Sequence, residues 1–278
     1  MLPDMISILV LAVVQGATEF LPVSSSGHLV IVQALLGFRE EGSGSVLFET
    51  AVHGGTLVAV VVFYRGRIAA LLGSLASWLG NGLRADDERE RRAVRYAGLL
   101  IVGSIPAGVV GLVFRDAIAG AFDRPSLTSA CMIATGLFLL LSRRGGRGPV
   151  IGWRTALAVG AAQAVAILPG CSRSGWTITA AIICGVGFME AAEFSFLLSI
   201  PAVAGALLLE VSTADLAGTP GGAPGLLVGA VAAFLSGYAA LRLLVWVLGR
   251  GTFHRFSWYL LMAGTASLIY FLGGSGRV

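Results

Sequence analysis

Residues 15–30 read QGATEFLPVSSSGHLV. They place a carboxylate, three consecutive serines and a histidine between apolar segments near the N-terminus. Of the 278 residues, 56% are hydrophobic and only 12% charged, and the mean hydropathy is +0.87. A soluble domain would carry about twice that charge. Apolar runs of membrane-spanning length recur along the chain, so an all-α polytopic membrane protein is expected. The polar stretch therefore does not lie on an ordinary protein surface.

A cleaved signal peptide is not expected at residues 1–20. "MLPD" lacks a basic region, and Gln15 and Glu19 interrupt the apolar core. The pI near 9.3 reflects loop arginines, and no basic stripe interleaved with aromatics points to nucleic acid. Cys131, Cys171 and Cys184 lack the spacing of a disulfide framework or a zinc site.

Apolar runs and breakers predict about six crossings, at 46–64, 93–114, 125–143, 193–211, 224–249 and 256–274. Two further apolar pairs are each broken in the middle: 5–20 with 27–37, and 152–167 with 175–187. Each half is too short to cross a core of about 30 Å. Each pair therefore reads as a re-entrant helical hairpin, tolerated where its turn is buried in protein or lines a cavity. An offset of 148 residues aligns Gln15 with Gln163, Ser24 with Ser172, Ser26 with Ser174, Gly27 with Gly175 and Phe48 with Phe196. An odd number of crossings between the hairpins gives an inverted-topology repeat within a single integral membrane domain, 1–278. Its halves are approximately 1–145, with hairpin 5–37, and 150–278, with hairpin 152–187.

Arginines concentrate in the loop 65–92, at 143–154 and at 250–255, with only Arg39, Arg115, Arg124 and Arg277 on the opposite side. The positive-inside rule then places both termini outside. The first hairpin enters from the outer face.

Gln15 and Glu19 stand four apart, hence on one face of a short helix. They could hold a divalent metal through oxygen ligands completed by waters and phosphate. Pro22 stops that helix, and Ser24, Ser25 or Ser26 can cap the next. His28, one turn after Ser25, is a candidate base for a serine nucleophile. In "ILPGCSRSGWTIT", Pro169-Gly170 ends a helix and Ser172-Arg173-Ser174 begins another. Free N–H groups, the helix dipole and a guanidinium there favour one anion, and Arg suits bidentate phosphate contact. His53, inside the first full span, could line the cavity, but reads first as a packed or water-bonded histidine.

At these residues the chain resembles the undecaprenyl-diphosphate phosphatase family, also called the bacitracin-resistance protein family. The resemblance rests on an (E/Q)-x-x-x-E box followed by P-V-S-S-x-G-H, here Gln15–Glu19 and Pro22–His28, and on P-G-x-S-R-S-G-x-T, here Pro169–Thr177. It implies hydrolysis of undecaprenyl diphosphate to the monophosphate carrier lipid and phosphate, recycling the carrier for peptidoglycan synthesis. A divalent cation (Mg2+ or Ca2+), a bacterial inner-membrane location and an active site toward the outer face come with it. Carried over by position, Glu19 would bind metal or do acid–base work, Ser25 would be the nucleophile, His28 its base and Arg173 the diphosphate clamp. Ser24, Ser26, Gly27, Ser172, Ser174, Gly175 and Thr177 would support the substrate. Position 15 is Gln where many members have Glu, and Cys171 fills a variable position of its motif. Expected partners are the polyprenyl diphosphate and membrane lipids, with no nucleic acid; a homo-oligomer stays open. The rival reading from another class is a polyprenyl-phosphate transporter or scramblase without hydrolysis.

Overall fold

The computed structural model describes residues 2–36, 43–82, 84, 87–146, 148, 151–211 and 222–273. Arg39 and Arg277 of the charge argument lie outside the described residues. The described residues are overwhelmingly helical, with one isolated β-bridge between Gly148 and Val186. The helices are α1 (Leu2–Phe20), α2 (Ser25–Leu36), α3 (Ser43–Phe63), α4 (Arg65–Gly80), α5 (Glu88–Val113) and α6 (Arg115–Phe122). After them come α7 (Pro125–Leu139), α8 (Trp153–Val165), α9 (Arg173–Ile183), α10 (Phe188–Val211), α11 (Gly222–Gly249) and α12 (Phe256–Leu272). A 3-10 turn, Leu140–Arg144, extends α7.

Both broken pairs are present. α1 and α2 pack on each other across a break at 21–24, and α8 and α9 do so across 166–172. Of the six expected crossings, α5, α7 with its 3-10 extension, α10 and α11 are each long and apolar enough to span alone. The 46–64 crossing is α3, which meets the criterion only together with α4, bent 75° from it. The bend follows the sequence: Arg65 and Arg67 cannot continue into hydrocarbon. The expected loop 65–92 is thus largely the helix α4, whose exposed Leu72 and Leu79 suit an interfacial position. The last crossing, α12, has 17 residues, about 25 Å at helical rise.

Ile101, Leu112, Leu208, Leu227, Met262 and Leu272 are each more than 60% exposed. In water, so much bare apolar surface would drive association; in lipid it is the expected outer face. Between helices, small residues let backbones touch. A Cβ on Gly55 would lie 2.2 Å from the Ala230 carbonyl oxygen, and one on Gly160 2.3 Å from that of Gly103. Gly103 and Ala107, one turn apart on α5, are both buried.

Packing partners exchange in a regular way. α1 lies on α11 while α8 lies on α5; α3 meets α10, and α7 meets α12. Both breaks end up against α7: a Cβ on Gly27 would strike Met132, and one on Gly175 would strike Leu139.

Candidate active site

The two breaks are capped alike, although their backbones turn differently. In the first, Pro22 interrupts the chain after α1, and Ser24 takes φ +70, the only positive φ of a non-glycine residue among those described. Ser24 caps α2: its Oγ accepts from the Gly27 N–H at 3.2 Å. In the second, Gly170 takes φ +86 and Ser172 caps α9, accepting from the Gly175 N–H at 3.2 Å. The flanking hydroxyls also match, with Ser24–Ser26 at 3.4 Å and Ser172–Ser174 at 3.3 Å.

The breaks are fastened together. The Gly170 N–H donates to Ser26 Oγ at 3.2 Å, and the Ser174 hydroxyl donates to the Leu21 carbonyl at 3.2 Å. Thr135 of α7 anchors the second break, accepting from the Ser172 N–H at 3.3 Å and from Trp176 Nε1–H at 3.0 Å.

Glu19 sits where they meet, its side chain only 7% exposed. Arg173, the first residue of α9, bonds through Nη2 to Glu19 Oε1. Glu19 Oε2 accepts from Gln15 Nε2–H and from the Ser25 hydroxyl, each at 2.7 Å. A carboxylate at this depth is costly unless paired and hydrogen-bonded, and here it is both. Arg173 is 21% exposed along its side chain, so its guanidinium is not sealed off.

His53 joins this group, contrary to the reading of it as merely packed. Its Nδ1 accepts from Gln15 Nε2–H at 3.1 Å and lies 4.0 Å from Glu19 Oε2. Sequence could mark it only as able to line the cavity, since a single histidine in an apolar helix names no partner until α3 is placed beside α1.

Two further expectations need correction. His28 does not bond the Ser25 hydroxyl, as a base to that serine was expected to do. Its Nδ1 bonds the Ser24 carbonyl at 2.7 Å and its Nε2 the Tyr259 hydroxyl at 2.5 Å, while the Ser25 hydroxyl goes to Glu19. Reversal of the chain at 21–24 brings Ser25 back onto α1, which helical spacing along α2 could not reveal. Several residues expected to touch substrate lie behind the site instead. Thr177 is fully buried, donating to the Arg173 carbonyl at 2.7 Å and bonding Ser195. Gly27 and Gly175 provide close approach to α7, and Ser24, Ser172 and Ser174 are buried caps and fasteners.

No cluster of three or more His, Cys, Asp or Glu occurs among the described residues. The Gln15–Glu19 pair nevertheless fits a hard cation's preference for oxygen. Gln15 Oε1 is buried without a hydrogen-bond partner, next to a carboxylate. Water and phosphate oxygens would have to complete the shell.

Residues 8–266 match the family described as bacitracin resistance protein BacA. The chain belongs to that family. Among proteins similar to this BacA-family chain, one from Geobacter metallireducens is 39% identical over 267 residues, covering 94% of this chain and 96% of its own. One from Desulfatibacillum aliphaticivorans is 40% identical over 273 residues, covering 95% and 98% respectively. One from Korarchaeum cryptofilum is 37% identical over 264 residues, covering 94% and 97%. All three are named undecaprenyl-diphosphatase. Both boxes of this BacA-family chain, 15–28 and 169–177, fall within the matched region.

Proposed function

We propose that this chain is a membrane phosphatase that hydrolyses undecaprenyl diphosphate to undecaprenyl phosphate and inorganic phosphate, regenerating a carrier lipid for cell-wall synthesis and so conferring bacitracin resistance. The observation that carries the proposal is the junction of the breaks, where one carboxylate holds a serine hydroxyl on one side and a guanidinium on the other. The relatives' shared name supplies the substrate, and the lipid-facing exterior suits its polyprenyl tail.

In this mechanism the diphosphate displaces Glu19 from Arg173, which takes the phosphate bidentately beside the N-terminus of α9. Release of Arg173 leaves Glu19 free to accept the Ser25 proton, the role first expected of His28. The Ser25 oxygen attacks the terminal phosphorus, the bridging P–O bond breaks, and undecaprenyl phosphate leaves. Water then hydrolyses the phosphoserine and frees phosphate. A divalent cation, if held by Gln15 and the Glu19 oxygen that does not face Ser25, would neutralise diphosphate charge.

The same proposal takes the halves 1–145 and 150–278 as an inverted repeat in the bacterial inner membrane, with termini outside and the site toward the outer face. The exchange of packing partners between the halves supports the repeat, and the distribution of arginines supports the orientation. That exchange also favours lipid transport without hydrolysis as a second reading, although the Ser25–Glu19 bond has no use there.

The test is phosphate release from a C15 or C55 prenyl diphosphate by detergent-purified protein, with added divalent cation or with EDTA. Cation-dependent release is expected; folded protein that releases none under any condition would leave transport as the better reading.

A further inference from the structure

His28 has no bond to the reacting hydroxyl, yet both its ring nitrogens are engaged. A carbonyl only accepts, so the 2.7 Å contact to the Ser24 oxygen puts the ring proton on Nδ1. In the neutral ring, Nε2 is then the acceptor, and the Tyr259 hydroxyl donates to it. The two rings lie nearly parallel, 6° apart, with centroids 5.6 Å from one another. The chain of bonds thus runs from α12, through His28, to the carbonyl of the one described non-glycine residue held at positive φ.

That conformation is disfavoured for serine and persists only where surrounding contacts impose it. The next residue is Ser25, whose hydroxyl reaches Glu19 at 2.7 Å. If Ser24 relaxed, the peptide joining the two residues would rotate and Ser25 would swing away from the carboxylate. Small displacements of a reacting group cost large factors in rate.

We propose that Tyr259 is a positioning residue: through His28 it holds the strained turn at Ser24 that presents Ser25 to Glu19. This rests on the reading of Ser25 as the reacting hydroxyl. The motifs at 22–28 and 169–177 contain no trace of Tyr259, which comes from the last helix.

Full-length protein carrying Tyr259→Phe keeps the ring stack and loses only the hydroxyl. Its kcat for prenyl diphosphate should fall about tenfold with KM within about twofold, and amides of residues 24–28 should exchange faster with deuterium. In a Ser24→Gly background, where positive φ is unstrained, the same change should cost less than about threefold. His28→Asn can still donate to the Ser24 carbonyl but no longer meets Tyr259, so its turnover should fall about as far as that of Tyr259→Phe and stay well above that of His28→Ala. Turnover of Tyr259→Phe equal to wild type would overturn the proposal. So would His28→Asn as inactive as His28→Ala, since that would make His28 the base. Should the wild type release no phosphate, the phosphatase reading fails and exchange at 24–28 alone decides: unchanged rates in Tyr259→Phe would still refute the strap.

Discussion

The breaks at 21–24 and 166–172 share their helix-capping hydrogen bonds and differ in backbone path and in chemistry. Ser24 and Ser172 cap their helices with matching 3.2 Å bonds to glycines three residues on. At the positions of the proposed chemistry the correspondence ends. The offset that pairs the caps sets Glu19 opposite Ile167 and Ser25 opposite Arg173. One break therefore carries the carboxylate and hydroxyl, and the other carries the cation. A symmetric scaffold aims both helix starts at one point, and asymmetric substitution there makes a site neither break could form alone.

Removing the cation should have the largest effect. Arg173→Ala is expected to lower kcat/KM by roughly a thousandfold or more, about 4 kcal/mol of transition-state stabilisation. It also leaves Glu19 an unpaired buried charge, worth about 3–5 kcal/mol of stability, so detergent thermal denaturation should be followed alongside phosphate release. Arg173→Lys should recover only part, because an ammonium lacks the bidentate fork. Near-normal turnover in Arg173→Ala would break the comparison at its root.

Next comes the hydroxyl. Ser25→Ala should lose at least about a hundredfold in turnover, far more than Ser24→Ala, since only Ser25 donates to Glu19. Equal and mild losses would point to water as the attacking group.

The shared scaffold predicts smaller, matched effects. Ser24→Ala and Ser172→Ala should each destabilise the protein by about 1 kcal/mol through loss of a helix cap, seen as similar drops in Tm. Widely different drops would mean the two caps are alike in geometry only. Smallest of all, Cys171→Ala should leave turnover within about twofold. Cys171 is buried, but it contributes no hydroxyl or charge to the junction, and a buried thiol acts mainly as a small apolar group. An inactive Cys171→Ala would assign that motif position a role the geometry does not give it.

Much of this was legible in the sequence because the deciding signals are local. Pro22 and Pro169-Gly170 mark the breaks, and the serines after them mark helix starts. The 148-residue offset, applied residue by residue, pairs side chains that do share geometry, Ser24 with Ser172 and Ser26 with Ser174. Arg173 announced itself as a guanidinium at a helix start in an apolar chain. What stayed hidden depends on helices meeting across the fold. His53 reaches Gln15 from α3, 38 positions along the chain. Tyr259 reaches His28 from α12, 231 positions away. The bond from Ser25 to Glu19 rather than to His28 is not legible, because spacing within α2 says nothing about how a turn folds Ser25 back over α1. The bend after Tyr64 is not legible because hydropathy alone does not separate a loop from an interfacial helix.

The central claim is that Glu19 and Arg173, one from each hairpin, act as a single unit on the diphosphate. Steady-state phosphate release by Glu19→Gln, Arg173→Lys and the double variant measures this directly. Groups that work as a unit are strongly non-additive, so the double variant should be about as impaired as the worse single one. Losses that simply multiply would contradict the account, leaving two breaks that lie side by side and act independently.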